Sequence, residues 1–260
     1  MRIAMGQLAS GTDTAANLRT IDAYAARAAA DGAALAAFPE YATYEKKMID
    51  STFPTVAQPL DGEVGRELSR IARHHGIAVV AGLVESSPDP SRAYNTLAAF
   101  GPDGALLAAY RKIHLFDAQG FRESDYVAPA PTTDPVVFDV DGVRFGLMTC
   151  YDVRFPRQAE ALSDAGAHVL LACSSWVPGE LKTKQWRTLL AARAIENSLF
   201  VAGICQAPPV SVGNSLLAGP MGDVLAELGL EPGVLAADIT PEELASVRAH
   251  FPTRSQRRYL

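Results

Sequence analysis

Short apolar runs of strand length alternate with helical patterns along most of this chain, and this alternation is what most constrains its fold. Arg2 to Leu8 is predicted to form a buried strand, and Thr14 to Ala30 an Ala-rich helix that ends at Asp31-Gly32. A second apolar run, Ala33 to Phe38, is followed by Pro39-Glu40. Such alternation is typical of a layered α/β fold, in which helices cover sheets.

The same pattern continues through the rest of the chain. A predicted helix over Glu63 to His75 precedes a strand over Ile77 to Val84. Further predicted elements are the hairpin strands Asn95 to Phe100 with Ala105 to Tyr110 and Val136 to Val140 with Val143 to Met148, the helices Pro156 to Asp164 and Lys182 to Asn197, and the strands His168 to Cys173 and Leu199 to Cys205. Because hairpins are antiparallel, the sheets are predicted to be mixed.

The C-terminal part of the chain predicts one more helix. Thr240-Pro241-Glu242-Glu243 has the pattern of a capping box with proline at the first helical position, so a helix is expected to run to about His250. A basic tail, Arg254 to Leu260, follows it. No repeat, low-complexity stretch or Ser/Gly linker interrupts the alternation, and we therefore predict a single domain over residues 1–260.

Charge and cysteine usage argue against several classes of function. The 260 residues carry 23 Lys and Arg against 29 Asp and Glu, a formal net charge of −6, which disfavours nucleic acid or an anionic membrane as the main partner. The cysteines, Cys150, Cys173 and Cys205, contain no Cys-x-x-Cys pair, which indicates reduced thiols and argues against structural zinc. The N-terminal run is too short for a secretory signal, and no run approaches the ~20 apolar residues of a membrane span. We expect a cytoplasmic protein.

Three residues that could carry chemistry follow predicted strands. The common motifs of nucleotide-binding proteins, serine hydrolases and zinc proteases are absent, whereas Glu40, Lys112 and Cys150 each stand directly after an apolar strand pattern. In open α/β sheets such positions face the crevice where ligands bind, so the three side chains could converge. Each also has an ordinary interpretation, as a solvated carboxylate, a surface cation and a small buried hydrophobe.

Cys150 is the most informative of the three. It lies between an apolar strand and a predicted helix at Pro156, and a helix N-terminus near a thiol favours the thiolate. Cys173 and Cys205 lie inside apolar strands and are interpreted as core residues. His114 offers a possible base for a Cys-His pair, although its apolar neighbours favour a packed, hydrogen-bonded histidine.

Three segments, in this order, resemble the blocks of the nitrilase, or carbon-nitrogen hydrolase, superfamily. They are Phe38-Pro39-Glu40, the run from Tyr110 to Phe116, and the run from Leu147 to Pro156. Ser175 to Gly179, Trp186 and Leu190 to Asn197 further resemble the bacterial amidases that cleave deaminated glutathione, close relatives of the ω-amidases. The cysteine is followed by Tyr151-Asp152, where true nitrilases usually have Trp-Glu, and this favours amides over nitriles.

The resemblance implies a thiol amidase that needs no cofactor or metal ion. Glu40 would be the base that takes the proton of Cys150, the nucleophile. Lys112 and the backbone N–H of Tyr151 would stabilise the oxyanion. Glu123 matches a second glutamate that recurs after the lysine block in this family, and it would position Lys112 and the substrate amide.

Arg154 and Trp176 are the expected substrate-binding residues. Arg154 would hold a substrate carboxylate in a bidentate pair, the alternative being a structural ion pair, for example with Glu196. Trp176 would wall the pocket, the alternative being core packing. The loops Tyr41 to Pro59 and Gln206 to Gly213 line the pocket in this family, and this chain departs from the family pattern there.

The resemblance also implies a fold, an assembly and a substrate class. The fold is a four-layer α-β-β-α sandwich with mixed sheets, and members commonly form dimers through helices and the C-terminal segment, here residues 251–260. The expected substrate is a small carboxylated amide, with deaminated glutathione first and α-ketoglutaramate second. Two alternatives stay open, namely N-carbamoyl cleavage or acyl transfer at the same site, and a non-catalytic binding member of the fold.

Overall fold

Twelve strands and six α-helices form within residues 1–258, the part of the chain that this computed structural model describes. The strands are β1 (Arg2–Gln7), β2 (Leu35–Ala37), β3 (Ala78–Ser86), β4 (Ala93–Phe100), β5 (Leu106–Arg111), β6 (Val137–Val140), β7 (Val143–Thr149), β8 (Val169–Ser174), β9 (Phe200–Cys205), β10 (Leu216–Ala218), β11 (Val224–Glu227) and β12 (Gly233–Asp238). The helices are α1 (Thr14–Ala30), α2 (Thr52–Val56), α3 (Glu63–His75), α4 (Pro156–Asp164), α5 (Lys182–Asn197) and α6 (Pro241–His250). None of these helices of residues 1–258 has both the length and the apolar character needed to cross a bilayer.

The strands form two six-stranded sheets of similar design. The first sheet has the order β12-β1-β2-β3-β4-β5, and the second has the order β11-β10-β9-β8-β7-β6. Within the first sheet β1, β2 and β3 are parallel, and within the second β7, β8 and β9 are parallel. All the other neighbouring strands in both sheets pair antiparallel. Both sheets are therefore mixed, as predicted.

Side chains that alternate along the strands point into different layers of the core. Ile3 and Met5 of β1 point into the core between the two sheets, whereas Ala4 points to the opposite face, where α1 and α3 pack. On the outer face of the second sheet lie α4 and α5. The order of layers is thus helix, sheet, sheet, helix, and the predicted α-β-β-α sandwich is confirmed.

The structure departs from the predicted elements in four short segments and one helix cap. α2, β10, β11 and β12 have no predicted counterpart. β11 is mostly exposed on both faces, so it lacks the alternation that marks a half-buried strand. The capping box at Thr240 is wrong: α6 begins at Pro241, but the Thr240 side chain accepts no capping hydrogen bond. The residues there are exposed, so water can satisfy the first N–H groups instead.

The C-terminal segment packs against α4 of its own chain. The guanidinium of Arg254 lies 3.0 Å from Asp164, and that of Arg257 lies 2.9 Å from Asp164 and 3.1 Å from Glu160. The expected dimer contact of residues 251–260 extends to Tyr259 and Leu260, which lie outside the described residues. Arg254 and Arg257 already have carboxylate partners within the chain.

Candidate active site

The structure brings Glu40, Lys112, Glu123 and Cys150 together in one pocket. Glu40 comes shortly after β2, Lys112 directly after β5 and Cys150 directly after β7, while Glu123 begins a short 3-10 helix between β5 and β6. The pocket encloses about 700 Å³ of space, part of it open to solvent. All four side chains line it and are buried.

Cys150 lies on a tight turn between β7 and a 3-10 helix over Cys150–Arg154. Its φ of 47° falls in the left-handed region, which residues with a side chain seldom adopt and which often marks a functional site. Its Sγ lies 3.7 Å from the carbonyl oxygen of Ser175. The N–H of Tyr151 is in the first turn of this 3-10 helix, where N–H groups lack a helical acceptor and are available to a ligand.

Lys112 is shared between two carboxylates. Its Nζ donates to Glu40 Oε1 at 2.8 Å and to Glu123 Oε2 at 2.8 Å, with a third contact of 3.1 Å to Glu123 Oε1. All three side chains are almost inaccessible to solvent. The ammonium group is therefore fixed between the two acids and has little rotational freedom.

Neighbouring groups that sequence reasoning did not identify fix the two acids. Asn95 Nδ2 donates to Glu40 Oε1 at 2.7 Å and to Glu123 Oε1 at 3.1 Å. The backbone N–H of Ser175 donates to Glu40 Oε2 at 2.7 Å, and the hydroxyl of Tyr41 donates to Glu123 Oε1 at 3.0 Å. Asn95 lies within a predicted hairpin strand, and no local pattern in the sequence distinguishes it from an ordinary strand residue.

Burial and the neighbouring charges shift the pKa values of the thiol and the ammonium in the same direction. Burial, together with the negative charge of Glu40, raises the pKa of Cys150 well above its ordinary value, so the resting group is a thiol. Burial alone would lower the pKa of Lys112. The charges of Glu123 and Glu40 outweigh that effect and hold this pKa well above its usual range, so Lys112 is a cation.

Asp152 supports the turn that carries Cys150. It is fully buried and accepts hydrogen bonds from the Thr149 N–H at 2.9 Å, from the Tyr110 hydroxyl at 2.5 Å and from the His114 N–H at 3.1 Å. His114 Nδ1 also contacts Asp152 at 2.7 Å, and the His114 ring stacks on Phe155. His114 is therefore a packed, hydrogen-bonded residue that braces the turn.

Arg154 and Trp176 line the same pocket as Cys150. The Arg154 guanidinium lies 4.8 Å from the centroid of the Trp176 ring and donates to Gln185 Oε1 at 2.6 Å. The alternative ion pair between Arg154 and Glu196 is wrong. Glu196 pairs instead with Arg193, three residues before it on the same helix, at 2.7 Å. Trp176 is buried, and its ring centroid lies 5.3 Å from that of Trp186, so it both walls the pocket and packs in the core.

The loop that follows Glu40 adds a second acid to the pocket wall. Glu45 is only 4% exposed, its Oε1 accepts the Lys46 N–H at 2.8 Å, and its Oε2 has no hydrogen-bond partner among residues 1–258. Burial, with the nearby charge of Glu40, raises the pKa of Glu45 to about 8. The sequence places Glu45 beside two lysines in a polar loop, where nothing indicates burial. Among residues 1–258, no group of three or more His, Cys, Asp or Glu side chains is arranged to hold a metal ion.

Comparisons with known proteins agree with this arrangement. The family model described as carbon-nitrogen hydrolase matches residues 2–249. "Hydrolase Rv0480c" of Mycobacterium tuberculosis (strain ATCC 25618 / H37Rv) is 42% identical over 264 residues, covering 95% of this chain and 92% of that protein. A deaminated glutathione amidase of Escherichia coli O157:H7 is 32% identical, covering 100% of this chain and 98% of that protein.

A solved structure gives the same result. A mutant of the amidase from Nesterenkonia sp. AN1, with acrylamide added at its active-site cysteine, superposes with a TM-score of 0.81 and 32% identity. The match covers 97% of this chain and 98% of that chain. The resemblance to the nitrilase superfamily is thus confirmed. The chain belongs to the carbon-nitrogen hydrolase family and is a carbon-nitrogen hydrolase enzyme.

Proposed function

We propose that this enzyme is a thiol amidase that hydrolyses the terminal amide of a small carboxylated substrate and releases ammonia, with deaminated glutathione as the first candidate and α-ketoglutaramate as the second. One observation carries the proposal: Glu40, Lys112, Glu123 and Cys150, distant in the chain, line one pocket. The amidase relatives support an amide as the bond that is cleaved. A binding protein would need no such set of groups.

The first step is attack by Cys150 on the amide carbon. Because the buried thiol holds its proton, a base must take that proton as sulfur attacks, and Glu40 is the carboxylate next to it. The Sγ–C bond forms while the carbonyl double bond opens and leaves negative charge on oxygen. The Lys112 ammonium and the Tyr151 N–H would stabilise this oxyanion, and loss of one such donor typically costs ~3 kcal/mol.

The second step releases ammonia and hydrolyses the thioester. As the C–N bond breaks, Glu40 gives the proton it took from the thiol to the leaving nitrogen. A water molecule then attacks the thioester carbon, and Glu40 accepts its proton. When the C–S bond breaks, that proton returns to sulfur, so the free acid leaves and the enzyme regains its starting state.

Glu123, Arg154 and Trp176 have supporting roles in this proposal. Glu123 holds Lys112 through two contacts and so fixes the ammonium toward the oxyanion. The Arg154 guanidinium, half-buried in the pocket wall, suits a bidentate pair with a substrate carboxylate. Trp176 gives that end of the pocket an apolar wall.

The proposal includes the organisation of the protein as a single domain over residues 1–260 that forms a cytoplasmic homodimer. The family match to residues 2–249 supports one domain. Exposed apolar side chains, among them Ile195, Met221 and Leu225, suit burial against a second copy. The three free thiols suit a reducing compartment. Sedimentation of the purified protein measures the assembly directly.

Ammonia release from a panel of amides tests the proposed activity. Deaminated glutathione and α-ketoglutaramate are expected to release ammonia, and N-carbamoyl amino acids are expected to react more slowly or not at all. Cys150→Ala should lower turnover by about 10³-fold or more, because no other group can form the thioester. Cys205→Ala is the matched control, since it removes another buried thiol and should leave turnover nearly unchanged.

Two outcomes would contradict the proposal, each in favour of a different function. Absence of ammonia release from every amide, with Cys150 unreactive toward iodoacetamide, would favour a binding member of the fold. Faster product formation with hydroxylamine than with water would favour acyl transfer over hydrolysis.

A further inference from the structure

Lys182 places a second cation in the wall of the pocket. It is the first residue of α5, and the residue is only 4% exposed. Its Nζ lies 5.2 Å from the centroid of the Phe116 ring and 5.4 Å from that of Trp176. The ammonium group is thus held between two aromatic side chains, and all three residues line the pocket that contains Cys150.

Lys182 and Arg154 approach the same aromatic ring without an acid between them. The Arg154 guanidinium lies 4.8 Å from the Trp176 centroid, and its one hydrogen-bond partner among residues 1–258 is the neutral amide of Gln185. Within residues 1–258, neither cation forms an ion pair with a carboxylate. Two like charges therefore lie close together in the pocket wall, with Lys182 buried and Arg154 half-buried.

The other basic residues around the pocket are compensated or in contact with water. Lys47 is exposed to solvent, and each of the rest has an acidic partner, in the pairs Lys46 with Asp50, Arg122 with Asp125, and Lys112 with both Glu40 and Glu123. Among the pocket cations within residues 1–258, Lys182 and Arg154 are thus the ones that lack a counter-ion without being exposed to solvent.

A buried ammonium beside a half-buried guanidinium is unfavourable when no anion lies near them. Burial lowers the pKa of Lys182, and the charge of Arg154 lowers it further. Contact with aromatic faces recovers only part of the hydration that a buried ammonium loses. A bound carboxylate would supply the missing charge and would accept hydrogen bonds from both side chains.

We propose that Lys182 and Arg154 form a two-cation subsite for the carboxylate of the substrate, and that Lys182 is the residue that determines the preference for carboxylated over neutral amides. This inference rests on the proposed amidase function and deepens it, because it specifies a negative charge at the end of the substrate opposite the reacting amide. The Trp176 and Phe116 rings would contact the apolar stem between the two ends of the substrate.

A matched pair of substrates tests the subsite. Glutaramate carries a carboxylate, and glutaramide replaces that group with a neutral amide of similar shape. Lys182→Met keeps the length and packing of the side chain but removes its charge. We expect it to lower kcat/KM for glutaramate by about 10-fold or more, mainly through KM, and to change kcat/KM for glutaramide by less than about 2-fold.

Two further variants separate the subsite from a general effect of charge or folding. Lys182→Arg keeps the charge and should retain most of the preference for glutaramate. Lys47→Met removes an exposed cation from the rim of the same pocket and should change neither substrate by more than about 2-fold. The thermal midpoint of ligand-free Lys182→Met should equal or exceed that of the parent, because an uncompensated buried charge is gone.

A binding measurement gives a readout that does not depend on turnover. In a Cys150→Ala background, calorimetry with glutarate as the probe should detect binding that Lys182→Met weakens by about 10-fold or more. Equal loss of kcat/KM for both substrates, or glutarate binding unaffected by Lys182→Met, would overturn the subsite while leaving the amidase intact. An unsubstituted protein that releases no ammonia from any amide would instead overturn the proposed function and this inference with it.

Discussion

Folding places the Glu45 carboxyl group where its protonated form is favoured. An ionised Glu45 would carry a buried oxygen that has no donor in the described part of the chain, and it would lie near the negative charge of Glu40. Both effects penalise the charged form, which explains why its pKa rises from 4.5 to about 8. In the unfolded chain the same group is solvated and titrates near its ordinary value. Folding at neutral pH is therefore coupled to uptake of a proton at this residue.

The variant Glu45→Gln should change how stability depends on pH. Because the folded-state pKa lies above the unfolded one, the folded protein binds more protons between pH 4.5 and about 8, and its free energy of unfolding falls as the pH rises through that window. Gln cannot ionise, so this loss should be absent. The free energy of unfolding of the variant minus that of the parent should therefore increase by on the order of 2 kcal/mol between pH 5 and pH 8.

Urea unfolding at pH 5, 6, 7 and 8 measures this difference. Glu231→Gln provides a control at an exposed glutamate. Its free energy of unfolding should follow that of the parent in parallel across these pH values. Parallel curves for Glu45→Gln as well would show that Glu45 is ionised in the folded protein.

At the scale of elements, α5 lies close to β9 because Gly203 has no side chain. A Cβ at residue 203 would come within 2.3 Å of Leu190 and 2.7 Å of Trp186, both fully buried side chains of α5. The glycine therefore sets the distance between helix and sheet. Since Lys182 is the first residue of α5, this spacing also sets the position of the proposed carboxylate subsite.

Gly203→Ala should destabilise the protein by about 1–3 kcal/mol, because the added methyl group has no space unless α5 moves. Gly229→Ala is the matched control: a Cβ there would meet no atom within 4 Å, and the change should cost less than about 1 kcal/mol. Urea unfolding followed by fluorescence compares the two variants. Equal stability of both would mean that α5 does not depend on the close contact at Gly203.

Elements with a strong pattern could be predicted from the sequence, and those defined by tertiary contacts could not. α1, α3, α4 and α5 begin and end where their patterns predict. β12 was not identified, because its short, alanine-rich run has low strand propensity and acquires its structure by pairing with β1.

The candidate site shows the same division. Glu40, Lys112, Glu123 and Cys150 could be named because they stand in blocks that resemble a known family. Their mutual distances depend on the packing of distant segments. Glu45 and Lys182 could not be identified as pocket residues, because a polar loop and a helix start give no local sign of burial.

At the scale of the whole molecule, the pocket lies where the two sheets meet. Glu40 and Lys112 follow strands of the first sheet, and Cys150 and Ser175 follow strands of the second. The Ser175 N–H donates to Glu40 Oε2 at 2.7 Å, and the Ala207 N–H donates to the Leu8 carbonyl at 2.6 Å, so hydrogen bonds join the sheets. Neither sheet contains the complete set of groups.

Activity and global structure should therefore be lost together in urea. We expect the midpoint for ammonia release to coincide with that of far-UV circular dichroism, because separation of the sheets removes Glu40 from Cys150. Activity that disappears at a clearly lower urea concentration would show that the pocket melts locally while the sandwich persists. The fluorescence of the two tryptophans, Trp176 in the pocket wall and Trp186 on α5, reports unfolding around the pocket.

The sharing of one ammonium by two carboxylates has an electrostatic consequence for the reaction. With Lys112 charged and Glu40 and Glu123 ionised, the trio carries one excess negative charge. When the thiol proton moves to Glu40, that excess transfers to sulfur and then to the carbonyl oxygen, while the total stays constant. The reaction moves an existing negative charge from one group to another and creates no new pair of separated charges. Every step can therefore occur in a buried, poorly polarisable site without counter-ions from bulk water.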